Sequence, residues 1–187
     1  MIYLIFSQIV MLLMNLAILI NSKLSLDFYK LYYMSIPVVV YCIFTCLFYI
    51  RQLRKALHKR ESSHLPGELI PVVALLIINI VYFVIEIFID KPDNPFWFYI
   101  STSVVQLVNI LYIFAYQKDL DERYMNSKKQ LFNSFISYLY VIMSVLTLYA
   151  CVFINIYATV IAILATSFVL ALSLTITYVA RRNHSKR

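Results

Sequence analysis

The stretch that decides the fold is LFNSFISYLYVIMSVLTLYACVFINIYATVIAILATSFVLALSLTITYVA, residues 131–180, which contains no charged side chain. A helix crosses the hydrocarbon of a bilayer in about 20 residues, so this run is roughly two and a half times too long for one span. It must fold back on itself, and the reversal is expected at INIYA, around Asn155 and Tyr157, although no glycine or proline marks a turn there.

The rest of the chain is of the same kind. Its 187 residues are 63% hydrophobic and 13% charged, with a mean hydropathy of +0.81, far from the make-up of a soluble domain. The reading is an all-α, polytopic transmembrane helix bundle forming a single domain over 1–187. The same ruler places spans at about 2–20, 32–50, 69–89, 95–116, 131–153 and 158–180. The opening run MIYLIFSQIVMLLMNLAILI has no basic leader and no small-residue cleavage site behind it, and it is read as a retained first span.

Basic loops test this division, because lysine and arginine collect on the cytoplasmic side of short loops. With six spans and both termini inside, thirteen basic residues fall on the inner side and three on the outer. A five-span reading sends Arg181, Arg182, Lys186 and Arg187 outside, which the same rule disfavours. Tyr49, Tyr116 and Tyr178, each just before an inner basic cluster, are expected as interfacial anchors. Phe96, Trp97 and Tyr99 are expected to do the same at the outer start of the fourth span.

Composition removes several activities. The single glycine, Gly67, leaves no phosphate-cradling loop, no GxxxG interface and no glycine-bearing selectivity filter. Cys42, Cys46 and Cys151 fall inside apolar runs and read as small buried hydrophobes rather than as a disulfide framework or zinc site. No histidine lies in a span beside a serine or cysteine, and there is no aspartate pair and no HExxH. The chain is therefore expected not to be an enzyme, with no metal and no cofactor.

Glu86 is the acid to explain. In a third span running outward it lies about 5 Å below the outer edge, where its carboxylate reaches toward water. It shares a helical face with Asn79, Tyr82 and Asp90. A polar contact between helices is favoured over an ion or proton site, because no second intramembrane acid or base completes a relay. Further uncharged polar stripes comprise Gln8 and Asn15; Thr102, Gln106 and Asn109; and Ser137, Ser144, Thr147, Cys151 and Asn155. A stripe of small and hydroxyl residues, Ala158, Ala162, Thr166, Ser173 and Thr177, marks the last span as an oligomer or helix-packing surface.

The most distinctive exposed chemistry follows the second span, in RQLRKALHKR. Arg51, Arg54, Lys55, Lys59 and Arg60 crowd one short segment, which Leu53, Ala56 and Leu57 can continue as an amphipathic stem. Such a cluster binds anionic lipid, at ~1 kcal/mol per cation near the surface. It also suits an acidic cytoplasmic protein and, less directly, a nucleic acid. The expected function is thus a non-enzymatic, homo-oligomeric inner-membrane subunit that senses the envelope or anchors a cytoplasmic partner. An oligomeric channel or pore using the fourth to sixth spans is the alternative, followed by a small transporter.

The short chain, its wholly membrane-embedded body and its basic cytoplasmic face resemble in general plan the membrane subunit of the Kiwa anti-phage system. That resemblance implies a homo-oligomeric sensor in the bacterial inner membrane whose inner loops recruit a cytoplasmic DNA-binding partner, with no catalytic residues.

Overall fold

Each apolar run must satisfy its own backbone in the absence of water, and the helix is the single-segment solution. The computed structural model, which describes residues 1–24, 31–58, 66–88 and 95–184, is all-helical over these ranges. Its elements are α1 (Ile2–Leu24), α2 (Leu31–His58), α3 (Pro66–Phe88), α4 (Pro95–Tyr124), α5 (Ser127–Phe153) and α6 (Ile156–His184). All six contain a stretch long and apolar enough to cross a membrane, as befits a multi-pass membrane protein. Pro66 and Pro95 open their helices at the position where the missing N–H costs nothing. Pro37 and Pro71 lie inside α2 and α3.

The uncharged run does reverse, and it does so at Ile154 and Asn155. The device is a helix cap. Asn155 Oδ1 accepts a hydrogen bond from the Ala158 N–H at 2.8 Å, satisfying one of the donors that the first turn of α6 leaves open. The Ile154 N–H meanwhile closes the last turn of α5 on the Ala150 carbonyl.

Three helices outrun the spans read from hydropathy. α2 continues to His58, α4 to Tyr124 and α6 to His184. Charged residues end an apolar run without ending a helix, since arginine, lysine and glutamate are good helix formers.

Neighbours in sequence are neighbours in space, and α1 closes the ring against α6, while α4 also reaches α6 across the ring. Two apolar clusters stack along its axis. One gathers Met11, Tyr41, Cys42, Tyr82, Phe98, Val105, Cys151 and Ile163. The other gathers Leu4, Phe48, Tyr49, Leu75, Ile110, Ile113, Tyr140, Leu170 and Leu174. The first residues of α1, α3 and α5 thus share an end with the last residues of α2, α4 and α6, so Met1 and the end of α6 lie at the same end of the bundle. The outward faces are apolar, as on α3 with Ile77, Val81 and Val84 and on α5 with Phe135, Ile142 and Tyr149. Side chains of that type face lipid at no cost.

Candidate functional site

Between the two apolar clusters every helix places a buried polar side chain. These are Gln8 between Leu4 and Met11 on α1, Thr45 on α2, Asn79 on α3, Gln106 and Asn109 on α4, Ser144 and Thr147 on α5, and Thr166 and Ser167 on α6. The result is a polar layer across the middle of the bundle, built one or two residues per helix.

Asn109 is its hub. Its Oδ1 accepts from the Tyr49 hydroxyl at 2.7 Å and from Asn79 Nδ2 at 2.9 Å. Its Nδ2 donates to the Tyr41 hydroxyl at 3.1 Å and to Asn79 Oδ1 at 3.0 Å. All four hydrogen-bonding positions of this amide are filled, which is the condition for carrying it in a low-dielectric interior. Thr45, on α2 like the two tyrosines, donates to Asn79 Oδ1 at 3.1 Å and so ties α2 to α3 directly. On the far side Gln106 Nε2 donates to Ser167 Oγ at 3.3 Å, and Thr147 and Thr166 share a hydrogen bond of the same length.

A second network lies toward the end that carries Met1 and the last turn of α6. Asp121, only 2% exposed, accepts from Asn133 Nδ2 and, at 2.8 Å, from the Thr177 hydroxyl. Thr177 Oγ1 in turn accepts from Asn133 Nδ2 and Gln117 Nε2, both at 2.9 Å. Gln117 Nε2 also donates to Ser173 Oγ, Ser173 donates to Asn133 Oδ1, and the Tyr140 hydroxyl donates to Gln117 Oε1. Every donor points toward an acceptor that ends on a carboxylate, so α4, α5 and α6 are tied by one chain of oriented hydroxyls and amides.

Both networks run along one face of α4. Thr102, Gln106, Asn109, Gln117 and Asp121 recur at helical spacing, interrupted by the apolar Ile113. The first three are legible in the sequence. Gln117 and Asp121 are not, because Lys118 and Asp119 end the hydropathy window at 116, yet both continue the same period and that continuation was the available signal. Lys118, Asp119, Glu122 and Arg123 face outward from the same turns, and Arg123 pairs with Asp119 at 2.7 Å.

Glu86 is buried on α3, one turn from Tyr82, whose hydroxyl shares a 2.7 Å hydrogen bond with Thr102. Asp90, expected on the same face, lies outside the described residues. Of the α6 stripe, Thr166 and Ser173 are buried against α5, while Ala158 and Ala162 are partly buried. On the basic stem Arg51, Arg54 and Lys55 are exposed, at the same end as the exposed Lys128, Lys129 and Arg182; Lys59 and Arg60 lie outside the described residues. Two interfacial anchors need correction. Tyr49 and Tyr99 are 0% and 1% exposed and belong to the core, Tyr49 because its hydroxyl is drawn to Asn109. Trp97 is exposed at the start of α4 as expected.

Among the described residues no group of histidine, cysteine, aspartate and glutamate has the arrangement of a metal site. No family model, no curated protein and no solved structure matches the chain.

Proposed function

We propose that the chain is a non-enzymatic, homo-oligomeric subunit of the bacterial inner membrane that anchors an acidic cytoplasmic protein through the basic end of its bundle. One observation carries this reading. The end of the bundle that holds Met1 and the end of α6 exposes Arg51, Arg54 and Lys55 on a helical stem, together with Lys118, Lys128, Lys129 and Arg182 from α4, α5 and α6. By the positive-inside rule that end is cytoplasmic. Anionic lipid is the background attraction, and an acidic protein surface is the specific one, because the stem carries its charges out along the helix beyond the apolar stretch. A role in anti-phage defence, with a DNA-binding protein as partner, is what the resemblance to the Kiwa membrane subunit adds. Nucleic acid bound directly by the stem is a weaker form of the same idea.

The pore reading is second. Its support is the polar layer itself, but Gln106, Thr147, Thr166 and Ser173 bond to one another's helices within a single chain. A path between chains therefore has few free polar groups to line it.

The test neutralises Arg54, Lys55, Lys59 and Arg60 together to glutamine. Partner capture from detergent extracts is expected to weaken and its remainder to lose salt sensitivity. Insertion should survive on Arg51 and the other inner clusters. Unchanged capture, together with liposome ion flux that responds to changes at Gln106 or Asn109, overturns the anchor and moves the pore to first place.

A further inference from the structure

Gln8 is the exception within the polar layer. It is fully buried on α1, and neither its Oε1 nor its Nε2 has a hydrogen-bond partner. Its neighbours on the same face, Leu4 and Met11, belong to the two apolar clusters, so the amide points into the axis of the bundle and not toward lipid. Two turns further along that face Asn15 Oδ1 is likewise buried and unpaired, and on α4 so is Ser103 Oγ. An amide left unsatisfied in such surroundings carries a large desolvation cost. Asn79 and Asn109 avoid that cost by pairing with each other, and Gln106 reaches Ser167.

We propose that the middle of the bundle is a hydrated, occluded site that holds water against the open amide of Gln8. A water molecule donates and accepts, as an amide with both ends open requires, and a buried water commonly has two to four polar partners. The chemical class follows from the lining. Gln8 brings an open donor and an open acceptor, and the other side chains of the layer, Thr45, Asn79, Gln106, Asn109, Thr147 and Ser167, carry no charge, so the site suits a small neutral molecule and disfavours an ion. The apolar cluster around Leu4, Ile110, Ile113, Leu170 and Leu174 closes it toward the end with Met1 and the last turn of α6. This inference is independent of the partner-anchoring reading.

Met11 is the natural reporter. It is fully buried, one turn from Gln8 on one side and from Asn15 on the other. The full-length protein in lipid nanodiscs is exposed to a short X-ray pulse in H2 18O, and the peptide carrying Met11 is analysed by mass spectrometry. Bound water generates hydroxyl radical in place, and water-derived 18O is expected in a Met11 sulfoxide despite its burial. Gln8→Leu should lower that label several-fold, whereas Gln8→Asn, which keeps an amide, should retain it. The wild-type measurement stands without either variant. Absence of water-derived oxygen at Met11 in the wild type, or undiminished label in a folded Gln8→Leu, overturns the proposal.

Discussion

Replacing Thr177 by valine keeps the shape of the side chain and removes one hydroxyl, the one on which the second network converges. That oxygen donates to Asp121 Oδ1 and accepts from Asn133 and Gln117. The first is a hydrogen bond to a carboxylate, about 1.5–3 kcal/mol. The two neutral bonds are worth about 0.6 kcal/mol each by the average for membrane interiors, giving a total loss of about 3–4 kcal/mol. No discount for solvent applies, because Thr177 is 0% and Asp121 2% exposed. Thr175 supplies the control on the same helix. Its hydroxyl returns to the Ala171 carbonyl within α6 and faces outward, so Thr175→Val should change stability by no more than about 0.5 kcal/mol. Both variants are to be unfolded reversibly by SDS titration from mixed micelles, with helicity and an α4–α6 fluorescence pair as separate probes. A double-mutant cycle with Asp121→Asn should return a coupling of about 1–3 kcal/mol. Equal effects of Thr177→Val and Thr175→Val, or no coupling to Asp121, would refute the claim that this network holds α4 to α6.

Asn109→Leu removes the hub of the central layer, takes from the Tyr41 and Tyr49 hydroxyls their bonds to it and leaves the Asn79 amide with only Thr45 and the Leu75 carbonyl, so a loss of about 2–4 kcal/mol is expected in the same unfolding assay. Asn155→Ala removes the cap of α6 and should cost about 0.5–2 kcal/mol, with Asn155→Gly costing less. Glu86→Gln should leave folding and assembly intact by size-exclusion chromatography, since neutralising a buried carboxylate near the edge of a span removes a burial cost; loss of function with normal assembly would restore the acid as an ion or signal site. Reporter fusions after Lys59, Lys129 and Arg187 should read as cytoplasmic and those after Lys23 and Asp93 as external. An external signal from the C-terminal fusion would end the proposed orientation.

What the sequence determines here is the part of the fold that the solvent dictates. A bilayer requires about 20 apolar residues per helix, and that requirement alone divides the chain into six helices and makes the uncharged run of residues 131–180 a hairpin. The polar residues Asn79, Gln106 and Asn109 are legible as inward-facing for the same reason, since lipid offers them nothing. Their partners are not legible. Asn109 meets Tyr41, Tyr49 and Asn79 across gaps of 30 to 68 positions, and no local pattern says which tyrosine leaves the interface for the core.

Helix ends escape hydropathy too, because an α-helix continues into water wherever its residues favour it; that is how Gln117 and Asp121 pass unnoticed although they prolong the stripe of Thr102 and Asn109. Only the tertiary structure decides which polar groups are answered. Gln8 and Asn109 look alike in the sequence, two amides in apolar runs. One is saturated by three neighbours and the other is left open, and the difference lies in what the opposite helices bring to the same height in the bundle.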